Sequence, residues 1–496
     1  MREGITADAE GTAGLASTAG AEGDAGAAAA LRLAEGASLG SVLAFADTDG
    51  WLALDAGVRE VPWCRGVPQR PGWEHSAPLP ADLTRLGESG LALALCHRDG
   101  RIREAAVRRA GRHPGRPGLL PLIAIRCTDW AAPVRERARK LLREVLDPQT
   151  AVELAPLILR IGRRDRGAFG VELLGDALRQ TTPGQLATLF LLRDDAVRRF
   201  AYRLAIEERR LSPAELARAA ARDFDAVVQD LCATAALAAV READVDSADV
   251  LEPLLTAQAP RVRSAGVTGL RRAGQPERAE SFLCDRSARV RACARYVVRQ
   301  HGGDPTAWYR ARCATPDGPA LSPGAVIGLA ECGDRADGAL LRQLLGHPAD
   351  GVRAQAVAGL RALDLADTHQ LRPLLDDPAP GVVRETTVAL LPSAEQLPAD
   401  WLLERTRSER PRHIRVAAFR LLQAYGGVVE LRAAAGLVND PDVKLRTWAG
   451  MSVQRWHLPA GARPGDPEVG VLLDRCRHLF SDHVLQRRKR EAGLHG

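Results

Sequence analysis

The sequence predicts an all-α solenoid, a stack of about twelve two-helix units, because a short pattern recurs along the 496 residues at a period of about 31 residues. The composition agrees, since 46% of residues are hydrophobic but only 4% are aromatic. Alanine and leucine supply most of the apolar residues, and both favour helices. The alternating runs of β-branched and aromatic residues that strands need do not occur.

The repeated pattern is a turn with Asp or Pro, then an aliphatic residue, an arginine, and small or aliphatic residues at helical spacing. One copy is "HPADGVRAQAVAGL" at residues 347–360, and "HRDGRIREAAVRRA" begins another at His97. Degenerate copies are expected at Gln229 and Ser322, where the arginine is missing. The arginines that mark the period are Arg103, Arg135, Arg166, Arg198, Arg263, Arg291, Arg353, Arg384, Arg415 and Arg446.

Each unit also contains a first helix ahead of the arginine-bearing second helix. "SPAELARAAARD" begins with Ser212 and Pro213 and carries Glu215, which predicts a capping box with proline at the first helical position. Thr182 and Gln185 repeat this arrangement in "TPGQLATLFLL". Two short helices and two tight turns account for the period.

The second helix has a core face and a flank. In the copy at 347–360, Val352, Ala356 and Leu360 share one face, which we expect to pack on neighbouring helices. Arg353 lies at the flank of that face. We predict that such arginines bond an acidic or carbonyl group at a turn and form a ladder between repeats. Direct contact with a ligand is the alternative. Exposed pairs of this type add little stability each, so we expect the ladder to set the geometry of the array more than its stability.

The pattern resembles the HEAT repeat, in particular the short bacterial form of the phycobilisome-lyase-like group, over about residues 90–456. The resemblance rests on the Asp or Pro turn, the Val-Arg pair and the alanines and leucines that follow. It implies that the second helices line the concave side of the array. HEAT arrays host many unrelated tasks, so the resemblance alone implies no single function.

Opposite the core, the positions one, five and eight after the arginine should line the concave face, and arginine predominates there. These candidate partner-binding residues are Arg108, Lys140, Arg143, Arg199, Arg203, Arg271, Arg299, Arg361 and Arg420. A solvated polar face is one interpretation. The other is an electropositive groove for an acidic protein surface, a phosphate-bearing ligand or a nucleic acid. Residues 98–210 carry 24 basic and 14 acidic residues, which concentrates positive charge in one region.

The ends of the chain lie outside the repeat. We expect a disordered Gly/Ala-rich tail at 1–30, an irregular cap at 31–90 that holds Trp51, Trp63 and Trp73, the array at 91–456, and a capping helix with a basic tail at 457–496. Within the cap, Asp49-Gly50 between two apolar runs could form a hairpin.

No catalytic signature occurs: the sequence has no GxxxxGK[ST], GxGxxG at a helix start, HExxH or GxSxG. The group Cys476, His478 and His483 fits no standard zinc spacing, so we expect no metal and no cofactor. Nine single cysteines without a CxxC pair indicate reduced thiols in a cytoplasmic protein. No apolar run is long enough to span a bilayer.

The sequence therefore predicts a non-enzymatic HEAT-like scaffold that binds a protein partner on a concave, arginine-rich face. The alternative is a nucleic-acid-binding solenoid, which could resemble the HEAT-like alkylpurine DNA glycosylases. A basic face fits that family, but the tryptophans do not, because Trp130 is expected in a turn and Trp448 on a helix flank.

Overall fold

The computed structural model describes residues 25–60, 83, 86–111, 117–240, 247–315, 321–458 and 464–494. Within these ranges every regular element is a helix and no strand occurs. The predicted all-α architecture is therefore confirmed. Contacts divide the chain into two compact units, Met1–Ala239 and Val240–Gly496.

The described part of the first unit consists of three N-terminal helices and five helix pairs. The N-terminal helices are α1 (25–34), α2 (Leu39–Val42) and α3 (Thr48–Gly57). The pairs are α4 (Glu88–Cys96) with α5 (Gly100–Gly111), α6 (Leu120–Arg126) with α7 (Ala132–Val145), α8 (Pro148–Ile161) with α9 (Ala168–Arg179), α10 (Pro183–Phe190) with α11 (Asp195–Glu207), and α12 (Pro213–Arg222) with α13 (Ala226–Ala239).

The described part of the second unit contains seven pairs and two C-terminal helices. The pairs are α14 (Ser247–Leu255) with α15 (Pro260–Arg272), the 3₁₀ helix Pro276–Cys284 with α16 (Ala288–Gln300), α17 (Pro305–Cys313) with α18 (Pro323–Cys332), α19 (Gly338–Gln343) with α20 (Asp350–Ala362), α21 (Thr368–Leu371) with α22 (Pro380–Leu390), α23 (Ala399–Arg405) with α24 (Arg412–Tyr425), and α25 (Gly427–Leu437) with α26 (Val443–Arg455). The last helices are α27 (Pro467–Arg475) and α28 (Asp482–Glu491). The two units together confirm about twelve two-helix repeats.

Local sequence sets where the helices begin. At α12 the Ser212 side chain accepts from the backbone N–H of Glu215, and the Glu215 carboxylate accepts from the Ser212 N–H at 2.8 Å. Thr182 and Gln185 form the same capping box at α10. Both predicted helix starts are confirmed, and in each case a side chain satisfies backbone donors that the helix leaves free.

The third residue after the period-marking arginine is small in most copies, which allows the second helices to pack closely. It is alanine and fully buried at Ala106, Ala138, Ala201, Ala294 and Ala356. At α15 it is Gly266, where an added Cβ would lie 3.0 Å from the Leu254 Cβ of α14. Close approach of paired helices therefore depends on this position.

The flank arginine joins neighbouring repeats, as the sequence predicts. Arg103 of α5 donates from Nε and Nη2 to both carboxylate oxygens of Asp129, at 2.8 and 2.9 Å, and Asp129 lies in the turn of the next repeat. Its remaining nitrogen, Nη1, donates to the carbonyls of His97 and Arg98 at 2.8 and 2.9 Å. One side chain thus holds its own turn and the following one.

The arrangement recurs in both units. Inter-repeat pairs of the same kind join Arg198 to Asp223, Arg263 to Asp285, Arg353 to Asp377 and Arg415 to Asp440, while Arg291 pairs with Glu331. The bond to the carbonyl six residues earlier also recurs, from Arg135, Arg198, Gln229, Arg263, Arg291, Arg353 and Arg446. At the degenerate position the Gln229 amide keeps this bond, at 2.7 Å to Asp223.

The ladder is buried, and the expectation of exposed pairs with little stability is wrong. Both side chains of the Arg103–Asp129 pair are 1% exposed. Burial raises the pKa of Asp129, but the bonds from Arg103 and from the Ala131 N–H outweigh it, so the pKa lies below its usual value. Burial excludes competing water and makes loss of one partner costly, because the other charge is left unpaired.

Three period-marking positions depart from the prediction. Arg384 of α22 has a side chain that is 71% exposed, and among the described residues it bonds only the adjacent Glu385. Arg166 precedes α9 and is exposed in the turn, so it does not occupy the flank of a second helix. Ser322 is the N-cap of α18, where its hydroxyl accepts from the Ala325 N–H. In the Arg166 and Ser322 repeats the second helix starts after the residue that the spacing selected, whereas Arg103 is the fourth residue of α5.

The N-terminal region is helical where the structure describes it, and the hairpin at Asp49-Gly50 is wrong. Asp47 caps α3 by accepting from the Gly50 N–H at 2.9 Å, which places Asp49-Gly50 in the first helical turn. Trp51 is 1% exposed, and its indole N–H donates to the Ala44 carbonyl at 3.0 Å. The predicted tail boundary at residue 30 also falls inside α1. Trp63 and Trp73 lie outside the described residues.

The C-terminal region has two described helices rather than one, and its basic residues are paired. Lys489 bonds Asp474 of α27 at 2.6 Å, and Arg487 bonds Glu491 at 3.0 Å. Arg488 donates to the Gln454 carbonyl of α26 at 2.9 Å. The bonds of Lys489 and Arg488 attach α28 to the preceding helices, whereas the Arg487–Glu491 pair lies within α28.

The buried ladder predicts a large, position-specific loss of stability. Asp129→Asn leaves the Arg103 guanidinium buried without its carboxylate and should lower the free energy of unfolding by about 3–5 kcal/mol. The measurement is the shift of the urea unfolding midpoint. A matched control is Asp364→Asn, because Asp364 is 96% exposed and pairs only with the exposed Arg335 among the described residues; its effect should stay within about 0.5 kcal/mol. Equal shifts for the two variants would contradict a stabilising ladder.

Candidate functional site

The second helices expose the face opposite the core, where the sequence places the candidate residues. In α7, Val134, Ala138 and Leu142 are buried, while Lys140 and Arg143 are exposed. All nine predicted residues lie on second helices; eight are exposed, and Arg199 is half-buried. The predicted helical register is therefore correct, and the contacts of each side chain decide what it can bind.

In the first unit, part of the predicted positive charge is already neutralised. Arg108 bonds Glu104 at 2.9 Å one turn earlier on α5. Arg137 of α7 reaches the same carboxylate at 3.3 Å. Two arginines on neighbouring second helices thus share one acid, which reduces the charge available to a ligand.

Arg199 of α11 is similarly occupied. Its Nε and Nη2 donate to the two carboxylate oxygens of Asp225, in the turn before α13, at 2.8 and 2.5 Å. These bonds, with those from the Val228 and Val227 N–H groups, lower the pKa of Asp225 to about 2, although burial acts in the opposite direction. The same carboxylate raises the pKa of Arg199. Arg199 is therefore a second link between repeats and not a free cation.

Arg143 lies against the aromatic ring of Phe169, a residue that the sequence pattern does not single out. Its guanidinium carbon is 5.0 Å from the centre of the Phe169 ring on α9, and Arg139 stands at the same distance. A cation over an aromatic face is held electrostatically while its outer edge stays accessible. Phe169 was not among the predicted residues.

Lys140 and Arg203 have no hydrogen-bond or ion-pair partner among the described residues. Arg203 lines a groove of about 280 Å³ between α9 and α11, together with Val171, Gly175 and Phe200. The acids Glu172, Asp176 and Glu207 stand at the same groove. The face therefore carries both signs of charge and a small apolar surface.

The face of the second unit has the same mixed character. Arg271 lies 5.8 Å from the ring centre of Tyr296, which is 46% exposed. Tyr296, Arg299 and Glu331 line a groove of about 410 Å³, and Glu331 accepts from the flank Arg291. Tyr296 was not among the predicted residues.

The other two predicted residues of the second unit differ in their surroundings. Arg361 lies 3.9 Å from Glu385, at the limit of an ion pair. Arg420 has no partner among the described residues. Leu174 and Ala330 lie eight residues after the period-marking positions 166 and 322, where the pattern predicts residues of the concave face, but their side chains are buried in the core at 0% and 8% exposure. Those two positions therefore belong to the helix stack.

The described residues contain no helix that combines the length and apolar content needed to cross a membrane. Within the same ranges, no group of three or more His, Cys, Asp or Glu side chains is arranged to hold a metal ion. The eight described cysteines are free thiols.

No protein-family model and no curated protein matches this chain. Among solved structures, an engineered protein is similar at 15% identity and a TM-score of 0.20, over 73% of this chain and 97% of that one. A chain from a structure of tubulin recruitment by microtubule polymerases with TOG domain arrays is similar at 11% identity and a TM-score of 0.23, over 73% and 99%.

Kap121p bound to Pho4p is similar at 13% identity and a TM-score of 0.30, over 87% of this chain and 53% of Kap121p. This chain therefore spans about half of Kap121p. At such identities and TM-scores, the architecture rests on the helix pairs and ion pairs of this chain itself.

The Arg199–Asp225 pair predicts a pH-dependent effect of mutation. A carboxylate whose pKa is lowered on folding adds stability above its unfolded pKa of about 3.8, and that stability is lost as the pH falls towards its folded pKa of about 2. Arg199→Met should therefore destabilise the chain equally at neutral and mildly acidic pH, and the difference from wild type should shrink below about pH 4. Urea midpoints of both proteins across this range provide the measurement. A difference that grows on acidification would contradict the pairing.

Proposed function

We propose that this chain is a non-enzymatic repeat scaffold that binds a protein partner on the exposed face of its second helices, centred in the first unit on Lys140 and Arg203. The resemblance to HEAT repeats supports this role and implies that the face is the concave one. Membership of the short bacterial, phycobilisome-lyase-like group and a cytoplasmic location are part of the same proposal.

The observation that carries the proposal is the mixed character of the face. The unpartnered cation Arg203 lines a groove with the acids Glu172 and Glu207 and the partly buried ring of Phe200, and the unpartnered Lys140 is exposed on α7. A folded protein presents charges of both signs together with apolar side chains, so it can match such a surface group by group.

Nucleic acid remains the alternative because positive charge is concentrated in residues 98–210. Phosphate backbones, however, bind where cations are uncompensated. On this face Arg108 is paired with Glu104, Arg199 with Asp225, and the acids near Arg203 would repel phosphates. The contacts therefore favour a protein over nucleic acid, and over an alkylpurine glycosylase-like activity.

Charge reversal at the two unpartnered cations tests the proposal. The double variant Lys140→Glu/Arg203→Glu, in the full chain, should lose a protein that wild type retains from an extract of its source cells. Nuclease treatment should leave that protein bound. The control Arg160→Glu/Arg407→Glu makes the same change in net charge at exposed residues of the first helix α8 and of the turn after α23, and it should retain the protein. The readout is quantitative mass spectrometry of the proteins bound to each variant.

Fluorescence anisotropy with duplex DNA distinguishes the alternative. If the face binds DNA, the logarithm of the affinity should fall linearly with the logarithm of the salt concentration, with a slope of about −0.9 per phosphate contact. Such binding would overturn the proposal in favour of nucleic acid if wild type and the control variant show it and Lys140→Glu/Arg203→Glu does not. Retention of the same proteins by wild type and by the face variant would also overturn it.

A further inference from the structure

We propose that the first unit has a second binding surface, at the edge formed by its turns, which docks a short acidic segment of a protein partner through a large apolar side chain. The surface is a groove of about 770 Å³ between the α10–α11 turn and the α12–α13 turn, and it is called here the Phe224 groove. It uses none of the residues at which the proposed function was placed.

The apolar side chains of the groove are unusually exposed. Phe224 is 97% exposed, Leu191 84% and Leu192 37%. The stacked rings of Phe190 and Tyr202, 4.2 Å apart, line the same groove. Exposed apolar surface gathered around a concave site marks a place where another molecule binds.

The fold holds Phe224 in this exposed position. Asp223, just before it, accepts from Arg198 at 3.0 Å, and the Asp223 carbonyl accepts from Gln229. Asp225, just after it, is held by Arg199 and by backbone N–H groups of α13. The turn is therefore fixed on both sides of Phe224, so a ligand that covers the ring need not order the loop first.

The charges at the groove select an acidic partner. Arg193, Arg218 and Arg222 are exposed and have no hydrogen-bond or ion-pair partner among the described residues, while the charge of Arg218 contributes to lowering the pKa of Glu215. The acids at the groove are already engaged: Asp195 and Asp223 pair with Arg198, and Glu215 caps α12. Guanidinium groups bind carboxylates in a bidentate manner, so three of them around an apolar site fit a segment in which acids flank a large apolar residue.

A nucleic acid would bring phosphates to the same guanidinium groups, but it would leave the exposed aliphatic side chains of Leu191 and Leu192 without an apolar partner, so it fits the groove less well. A second copy of this chain could also cover the apolar residues. The experiment below treats that possibility as an outcome that overturns the proposal.

The probe is a fluorescently labelled amphipathic peptide with leucine and phenylalanine on one helical face and glutamate elsewhere. A second peptide replaces every glutamate by lysine. Anisotropy titrations with the full chain should show binding of the acidic peptide only. Phe224→Ser should weaken that binding at least about tenfold, as removal of a central aromatic anchor does. Leu191→Ser should weaken it in the same direction.

Matched variants separate the contributions. Arg218→Glu/Arg222→Glu should strongly weaken binding of the acidic peptide and reduce the salt dependence of the binding that remains. Trp130→Ser removes an aromatic residue that is 71% exposed and follows ladder Asp129 as Phe224 follows Asp223, so it should bind the peptide like wild type. Lys140→Glu/Arg203→Glu should also bind it normally, which keeps a failure here distinct from a failure of the proposed function.

Three results would overturn the proposal: no binding of the acidic peptide to wild type, equal binding of the lysine peptide, or binding unchanged in both Phe224→Ser and Leu191→Ser. Sedimentation of the chain at increasing concentration provides a further check. Self-association that Phe224→Ser abolishes would identify a second copy as the occupant, and the acidic-segment proposal would then be wrong.

Discussion

The geometry of the stack depends on flank arginines that donate in two directions, namely Arg103, Arg198, Arg263, Arg291 and Arg353. Arg103 holds the carbonyls of its own turn with one nitrogen and the carboxylate of Asp129, in the next repeat, with the other two. Asp129 in turn gives its carbonyl to Arg135. Because the planar guanidinium group bonds both turns at once, such an arginine fixes the position of its own turn relative to the turn of the next repeat.

Burial makes this interaction decisive. A pair that is 1% exposed on both sides cannot exchange its partners for water, so a misaligned repeat would leave a charge unpaired inside the protein. The residue three positions after the flank arginine is small, as at Ala138 and Gly266. It lets neighbouring helices approach until the arginine and the carboxylate meet. Packing and electrostatics therefore specify the same spacing.

The ladder also determines which cations remain for binding. Arg103 and Arg353 belong to the stack, and Arg199 is taken up by Asp225. Unpartnered charge is left at Lys140 and at Arg203, and Arg203 lies beside acids and the ring of Phe200. Many of the arginines therefore hold neighbouring repeats together, and only the cations without an internal partner are available to bind another molecule. The bond from Arg198 to Asp223 also holds the turn in which Phe224 is exposed, so the ladder helps to shape the Phe224 groove.

The helical repeat, its period, the core residues such as Leu360 and the rung at Arg353 follow from sequence, because a 3.6-residue periodicity and a recurring side chain are local properties. Which face arginines are free does not follow, since Asp225 and Glu385 reach Arg199 and Arg361 from other repeats. The burial of the ladder and the exposure of Phe224 likewise depend on how neighbouring turns stack. Sequence determined the unit, and tertiary packing decided which of its charges and rings face solvent.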